Sequence, residues 1–184
     1  MEKQLALSQG QEIVGQVKIL SQEEIMNATN NYDPNLIVYR SDIVDCYECT
    51  IDDMLVFIKA PQERDPNPKL IHLFLTELSV LTVTRHDSMC KLYGCCLETY
   101  IPMIAYQHKS SKTLQDCLHG GIALEKPMKW SSRLRVTTNI AYALSYMHNA
   151  LLKPLVNRDV KSFFILIDSS FHAIIASVVY SVSI

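Results

Sequence analysis

The sequence is poor in glycine, has no excess of charge of either sign, and contains no apolar run long enough to cross a membrane. Its five glycines, at 10, 15, 94, 120 and 121, leave residues 16–93 without the residue that adopts positive φ at no steric cost. The 17 basic and 19 acidic side chains nearly cancel, which argues against a nucleic-acid or anionic membrane partner. The apolar run 171–184 is too short to span a bilayer and predicts a buried strand.

Targeting and redox features are also scarce. The N-terminus lacks the charged-then-apolar order of a secretory signal, and Glu2 stands where myristoylation requires glycine. Among the six cysteines, Cys95 and Cys96 are adjacent and cannot readily bond each other. Cys46 and Cys49 have the spacer of a zinc-binding pair, but the second pair lacks it, which disfavours a four-thiolate site. We expect reduced thiols in a cytoplasmic protein with neither a metal nor a transmembrane segment.

The first part of the chain predicts one helix followed by strands. Ser21 and Glu24 have the spacing of a capping box, so a helix of about ten residues is expected to start there. Residues 36–60 are rich in β-branched and aromatic side chains around the turn-like pair Asp52 and Asp53. They predict two or three antiparallel strands.

A proline-rich break, a helix and two strands are predicted next. Residues 61–68 carry three of the seven prolines and end any regular element. Beyond them, apolar residues recur at three- and four-residue spacings as far as Leu81. This spacing predicts a helix with Glu77 on or beside its apolar face. Strands are expected near 89–97 and 101–107.

The rest of the chain predicts a long helix over 131–150 and short closing strands. The helix should bear one apolar stripe, formed by Leu134, Ile140, Ala141, Leu144 and Met147. The order of elements predicts an α+β fold in three segments. These are an N-terminal segment at 1–20, a β-rich lobe with a preceding helix at 21–107, and a shorter, mostly helical lobe at 108–184.

Four charged residues stand in apolar or strand-like surroundings: Lys59, Glu77, Asp159 and Lys161. The segments IMNATNNY, RHDSMCKLYGCCLE, KWSSRLRVTTNIAYALSYMH and NRDVKSFFILID resemble recurring segments of protein kinases, in particular plant receptor-like cytoplasmic and wall-associated-kinase-like proteins. Within that group the chain is most similar to the ZED-related pseudokinases. The resemblance implies a protein-kinase-like fold with a complete β-rich N-lobe. Its C-lobe would be truncated, because the resemblance ends at Ile184.

The resemblance assigns kinase positions to these residues. Lys59 would contact the α- and β-phosphates of a nucleotide, and Glu77 would orient that lysine. Asp159 would accept the proton of the substrate hydroxyl, with Lys161 close to the transferred phosphate. The remaining nucleotide-binding positions would be Tyr106 and His108. The other interpretation of Lys59 and Glu77 is a purely structural ion pair that locks helix to sheet.

Departures from the kinase pattern decide the functional prediction. Kinases cover the phosphates with a glycine-rich loop, and the corresponding stretch VYRSDIVDCY contains no glycine. Phe57 replaces the small alanine that makes room for adenine, and packed interiors seldom absorb such added volume. Phe164 and Ser177 stand where two Mg²⁺ ions need oxygen ligands. Asn157 also replaces the usual histidine of the catalytic loop.

The resemblance therefore predicts a pseudokinase and not an enzyme, with neither ATP nor a metal as cofactor. Asp159 would be a structural acceptor for loop N–H groups. ZED-related proteins act as adaptors, so the expected partner is a plant immune receptor of the NLR class or an active receptor-like cytoplasmic kinase. The expected location is the cytoplasm or the inner face of the plasma membrane.

Two alternatives stay open at this stage. One is a degenerate serine/threonine protein kinase that still binds ATP, with or without Mg²⁺. The other is a non-functional, truncated gene product. In a truncated lobe the apolar stripe of the long helix would face water or another chain, because its usual packing partner is absent.

Overall fold

A computed structural model describes residues 17–62, 65, 67–107, 112–119, 128–178 and 180–183. The fold is α+β, as predicted. The chain divides into two units, the first of Met1–Phe74 with Leu92–Gln107 and the second of Leu75–Lys91 with His108–Ile184. The predicted nucleotide position His108, and most of the predicted N-terminal segment, lie outside the described residues.

The first unit is built around a six-stranded sheet. Its strands are β1 (Lys18–Ile19), β2 (Ile37–Arg40), β3 (Val44–Ile51), β4 (Met54–Pro61), β5 (Leu92–Cys96) and β6 (Met103–Gln107). Their spatial order is β1-β5-β6-β4-β3-β2, and β1 pairs with β5 in parallel while the other contacts are antiparallel. The strands predicted between 36 and 60 and in the two later segments are confirmed.

Helix α1 (Gln22–Ala28) packs on one face of this sheet. The predicted capping box is confirmed, because Ser21 Oγ accepts from Glu24 N at 3.1 Å and Glu24 Oε2 accepts from Ser21 N at 2.7 Å. Ile25 of the helix is fully buried. The core beneath it includes alternate residues of β3 and β4: Tyr47, Cys49, Ile51, Val56, Ile58 and Ala60. The residues between them, Phe57 and Lys59 among others, therefore lie on the opposite face.

Strands β3 and β4 are joined by a two-residue turn at Asp52 and Asp53, where the turn was predicted. Both residues have positive φ, 49° and 59°. This is the backbone of a type I′ turn, which favours glycine at its second position. The Asp52 carboxylate is a partner of Lys18 and accepts a hydrogen bond from Tyr93 Oη at 3.0 Å.

The substitution Asp53→Gly is expected to stabilise the protein by about 0.5–1 kcal/mol, because it removes the steric cost of the left-handed conformation. Urea denaturation would measure the change in the free energy of unfolding. Asp52→Gly is the matched control: it relieves the same left-handed conformation but deletes the contacts with Lys18 and Tyr93, so it should stabilise the protein less than Asp53→Gly, or not at all. Equal effects of the two substitutions would contradict this account of the turn.

Helix α2 (Pro68–Val83) starts where the proline-rich segment ends; its residues up to Phe74 belong to the first unit and those from Leu75 to the second. Asn67 caps it, since its Oδ1 accepts hydrogen bonds from Lys69 N at 3.1 Å and Leu70 N at 3.3 Å. Glu77 is fully buried, which confirms its predicted place on the apolar side of the helix.

The second unit contains helices α3 (Leu114–His119) and α4 (Trp130–Asn149), with strands β7 (Leu155–Asn157), β8 (Ile165–Ile167), β9 (Ala173–Ile175) and β10 (Ser181–Ser183). The strands form two antiparallel pairs, β7 with β10 and β8 with β9. A core cluster is formed by Cys117, Met128, Val136, Ile165, Ile167 and Ala173. In the described part of the chain, no helix combines the length and the apolarity needed to cross a membrane.

The predicted apolar stripe of α4 is confirmed only in part: Met147 is buried and Ile140 and Leu144 are partly buried, but Leu134 and Ala141 are exposed. The buried residues of α4 are Val136, Ala143 and Met147, and Ile140 is partly buried. Leu134 is 51% exposed. Apolar residues occur on more than one side of this helix, and only the side that packs on the core is buried.

Candidate functional site

The sheet face opposite α1 carries the predicted nucleotide-binding residues of the first unit. Phe57 on β4 pairs in register with Tyr106 on β6, and Lys59 pairs with Ile104. Residues directly opposite each other on adjacent strands point to the same side of a sheet. Two large rings, Phe57 and Tyr106, therefore stand side by side where the resemblance places the adenine pocket. Tyr106 is buried.

Lys59 makes a contact that the sequence did not reveal. Its ammonium Nζ lies 5.3 Å from the centroid of the Phe74 ring on α2. Phe74 is only 1% exposed and Lys59 is half-buried, so this cation–π contact is partly shielded from water. The only signal in the sequence was the position of Phe74 on the apolar side of the helix, three residues before Glu77. Lys59 and Glu77 belong to different units, and their pairing stays a prediction.

The loop after β7 brings the two predicted catalytic residues of the second unit together. Lys161 Nζ lies 2.5 Å from Asp159 Oδ1, with the aspartate side chain 17% exposed and the lysine side chain 61% exposed. The described partner of the Asp159 carboxylate is thus Lys161, where the prediction expected loop N–H groups. This ion pair joins the two groups that the kinase resemblance assigns to proton acceptance and phosphate contact.

Phe164 occupies the first of the two expected metal-ligand positions. Its ring lies 5.7 Å from Lys161 Nζ and makes an edge-to-face contact with Phe163, with ring centroids 5.6 Å apart. A phenyl ring offers no oxygen to a divalent cation. The ring of Phe164 packs against its loop neighbours instead.

Asn157 organises the loop in a way that the sequence analysis missed. Its Oδ1 accepts a hydrogen bond from Asp159 N at 2.9 Å, and its Nδ2 donates to the carbonyl of Ser177 at 3.0 Å. One amide side chain therefore ties the catalytic-loop position to the second metal-ligand position. The sequence indicated this role only through the residue type at position 157, since an asparagine side-chain amide can both donate and accept hydrogen bonds.

The residues at the metal positions do not fit Mg²⁺. Position 164 supplies no oxygen, and the Ser177 hydroxyl is a neutral ligand where a hard cation prefers a carboxylate. Among the described residues, no three or more histidine, cysteine, aspartate or glutamate side chains are grouped as a metal site. No phosphoryl-transfer step can be derived through a metal held by this set.

The turn between β8 and β9 is held by Asp168. Its Oδ1 accepts from Ser170 N at 2.8 Å, Ser170 Oγ at 2.7 Å and His172 N at 2.8 Å, and Phe171 within the turn has φ of 60°. Burial alone would raise the pKa of Asp168, but these hydrogen bonds and the nearby His172 outweigh it and lower the pKa.

Asp168→Asn is expected to destabilise the protein by about 1 kcal/mol at pH 7. Because the folded-state pKa of Asp168 is depressed, its contribution is fully present above the unfolded pKa of about 3.9. It is lost as the pH falls through the lower folded pKa. Urea denaturation from pH 7 to pH 3 should therefore show the difference between the two proteins shrinking at the acidic end. A difference that does not change with pH would contradict the assignment.

Comparison with known proteins gives the family. Residues 38–181 match the family model described as protein tyrosine and serine/threonine kinase. Wall-associated receptor kinase 4 of Arabidopsis thaliana is 35% identical over 161 residues, which cover 87% of this chain and 21% of the relative. Wall-associated receptor kinase-like 17 of the same plant is 32% identical over 174 residues, 94% of this chain and 22% of the relative.

A shorter relative, putative wall-associated receptor kinase-like 16 of Arabidopsis thaliana, is 32% identical over 160 residues, 86% of this chain and 36% of the relative. The chain thus spans about a fifth to a third of the length of these relatives. The family model covers most of the chain and includes every described residue of the candidate site. The chain therefore belongs to the protein tyrosine and serine/threonine kinase family, with wall-associated receptor kinases among its relatives.

Proposed function

We propose that this chain is a catalytically inactive, kinase-like adaptor in plant intracellular immune signalling, and that it acts by protein–protein interaction in the cytoplasm. The main support for the loss of catalysis is that Phe57 pairs in register with Tyr106 on the sheet face that a nucleotide would need. The substitutions at Phe164 and Ser177 support it independently. The adaptor role rests on the similarity to ZED-related pseudokinases. The partner would be an NLR-class immune receptor or an active receptor-like cytoplasmic kinase.

Phosphoryl transfer is especially sensitive to these losses. The protein contributes little covalent chemistry to this reaction, so the rate depends on positioning and on neutralising charge. Each missing electrostatic element costs roughly a hundred- to a thousand-fold in rate, or about 2.7–4 kcal/mol. The glycine-rich loop and both metal ligands are missing together, which would leave no useful rate.

ATP is expected to leave the melting temperature of the purified chain unchanged, with or without Mg²⁺. A ligand at about 100 times its dissociation constant would add about 2.7 kcal/mol to the free energy of unfolding, which a thermal-shift assay detects easily. The matched variant is Phe57→Ala, which restores the small residue beside Tyr106 and should give a larger ATP response than the parent chain. A clear shift of the parent chain with Mg·ATP would overturn the loss of nucleotide binding.

The adaptor role has a separate test. The chain should co-purify with an NLR-class immune receptor when both are expressed in plant cells, and Asp159→Ala should not change the recovery. Trp130→Ala, on the 72% exposed tryptophan of α4, serves as a surface control for nonspecific adhesion. Loss of binding on Asp159→Ala alone would point to a role for the loop chemistry and against a purely structural adaptor.

The retained Lys59, Asp159 and Lys161 favour a second candidate, a degenerate ATP-binding kinase that works without a metal. Radiolabel transfer from ATP that disappears on Lys59→Met would establish it. Absence of transfer, together with receptor binding, would support the adaptor.

A further inference from the structure

A groove lies on the side of the first unit that bears α1, on the opposite face of the sheet from Phe57. Its volume is about 870 Å³, within the range of pockets that bind ligands. It is lined by residues of α1 and the turn after it, of strands β3 and β4 and of the loop between β5 and β6, among them Gln22, Asn31, Asp45, Glu98 and Tyr100. We call it the α1 groove. It shares none of these residues with the nucleotide face or with the catalytic-loop positions.

The charge of the α1 groove has one sign. Asp45 and Glu98 are acidic, and the described residues that line the groove include no lysine, arginine or histidine. Arg40, from outside the lining, already compensates Asp45, to which it donates through Nε at 2.8 Å and Nη2 at 3.2 Å. Glu98 is exposed, and only its Oε2 has a described partner, Gln22 N at 2.6 Å. Glu98 is therefore the carboxylate whose charge is left to attract a cation and to repel a phosphorylated ligand.

The aromatic side chains of the α1 groove complement that charge. Tyr100 is 64% exposed and lies two residues after Glu98 in the same loop. Tyr32 and Tyr47 form an edge-to-face pair with ring centroids 5.9 Å apart, and Tyr32 Oη lies 3.8 Å from Met103 Sδ. A planar guanidinium stacks on exposed tyrosine rings and pairs with carboxylates, which a compact ammonium does less well.

We propose that the α1 groove binds an extended segment of a partner protein, whose arginine side chain stacks on Tyr100 and faces Glu98. The groove exceeds the size of a single side chain, and the exposed side-chain amides of Gln22 and Asn31 along its wall can hydrogen-bond a peptide backbone. The proposal goes beyond the proposed function, since it needs neither the loss of catalysis nor an immune receptor.

The test is a random-hexapeptide phage selection on the full chain, followed by fluorescence anisotropy with the enriched peptides. We expect the selected peptides to contain arginine at one preferred position. Replacing that arginine with citrulline, which keeps the shape and removes the charge, should weaken binding at least 10-fold. Free arginine amide should not compete at the same concentration, which distinguishes a peptide site from a small-cation site.

Variants of the chain locate the binding site. Tyr100→Ala should weaken the selected peptide about 10-fold or more, and Glu98→Gln about 3-fold, with an effect that disappears at high salt. The matched controls are Tyr142→Ala, on a tyrosine that is 65% exposed in the second unit, and Glu23→Gln, on an exposed α1 residue outside the groove. Both should bind like the parent. No enrichment, enrichment of acidic or uncharged peptides, or equal binding by Tyr100→Ala would overturn the proposal.

Discussion

Replacing Phe74 with alanine should destabilise the protein by about 3–5 kcal/mol, the range for removing a fully buried phenylalanine ring. Phe74 is 1% exposed and is among the largest fully buried side chains of the chain. The substitution also removes the aromatic face over which Lys59 Nζ lies at 5.3 Å. Two losses therefore add at one position, a cavity and a displaced ammonium group. Urea denaturation measures the total.

A double-mutant cycle separates the two losses. Phe74→Leu keeps most of the volume and removes the ring, and Lys59→Met keeps the aliphatic stem and removes the charge. The coupling energy between these two substitutions should be about 0.5–2 kcal/mol in favour of the parent pair. If the effects simply add, the contact contributes nothing, and Lys59 must be retained for another reason. Tyr39→Leu, on the edge strand β2, provides a comparison site on the same sheet.

The outcome bears on how a retained kinase lysine is interpreted. A lysine that stabilises the fold through Phe74 can persist after nucleotide binding is lost. The presence of Lys59 alone is therefore weak support for catalysis. The absence of an oxygen ligand at position 164 is stronger evidence against catalysis, because no packing contact of Phe164 can take the place of a metal ligand. Phe164 therefore weighs more in favour of the proposed inactive domain than Lys59 weighs against it.

Local patterns in the sequence were sufficient to predict most elements of the fold. Ser21 and Glu24 marked the start of α1, and Asp52 and Asp53 marked a hairpin turn, because capping and turn geometry depend on a few adjacent residues. The buried side of α4 was predicted only in part: Met147 was placed correctly, but Leu134 was predicted where Val136 is buried. Periodicity shows that a helix has an apolar side, but when two sides are apolar only tertiary packing decides between them.

The candidate site, like the fold, was predicted only in part from the sequence. The replacements at Phe57, Phe164 and Ser177 could be identified from motif positions, because each motif fixes which atom the chemistry needs. The contact between Lys59 and Phe74, and the two hydrogen bonds of the Asn157 amide, join residues that are distant along the chain. Such contacts depend on strand register and helix placement, which no single sequence motif encodes. The α1 groove was missed for the same reason.

Gly94→Ala is the second substitution with a large expected effect, about 1–3 kcal/mol of lost stability. A Cβ atom at Gly94 would lie 2.5 Å from the carbonyl oxygen of Lys18, an atom of the backbone that no rotamer change can move. Strand β1 would have to move away from β5 and give up its parallel pairing and the hydrogen bond from Leu20 N to Cys95 O at 2.9 Å. Helix α1 follows directly and supplies part of the α1 groove, so peptide binding should weaken as well.

Two measurements identify the cause of this effect. Hydrogen exchange should show that the amides of Leu20 and Ile25 lose protection in Gly94→Ala, while those of β4 and β6 keep theirs. A chain shortened to begin at Ser21 lacks the Lys18 carbonyl, so Gly94→Ala should cost less than about 1 kcal/mol of stability there. The penalty in the full chain comes from the contact between residue 94 and Lys18, and not from Gly94 alone. An equal cost in the full and shortened chains would mean that Gly94 is needed for strand β5 itself, and not for the close approach of β1.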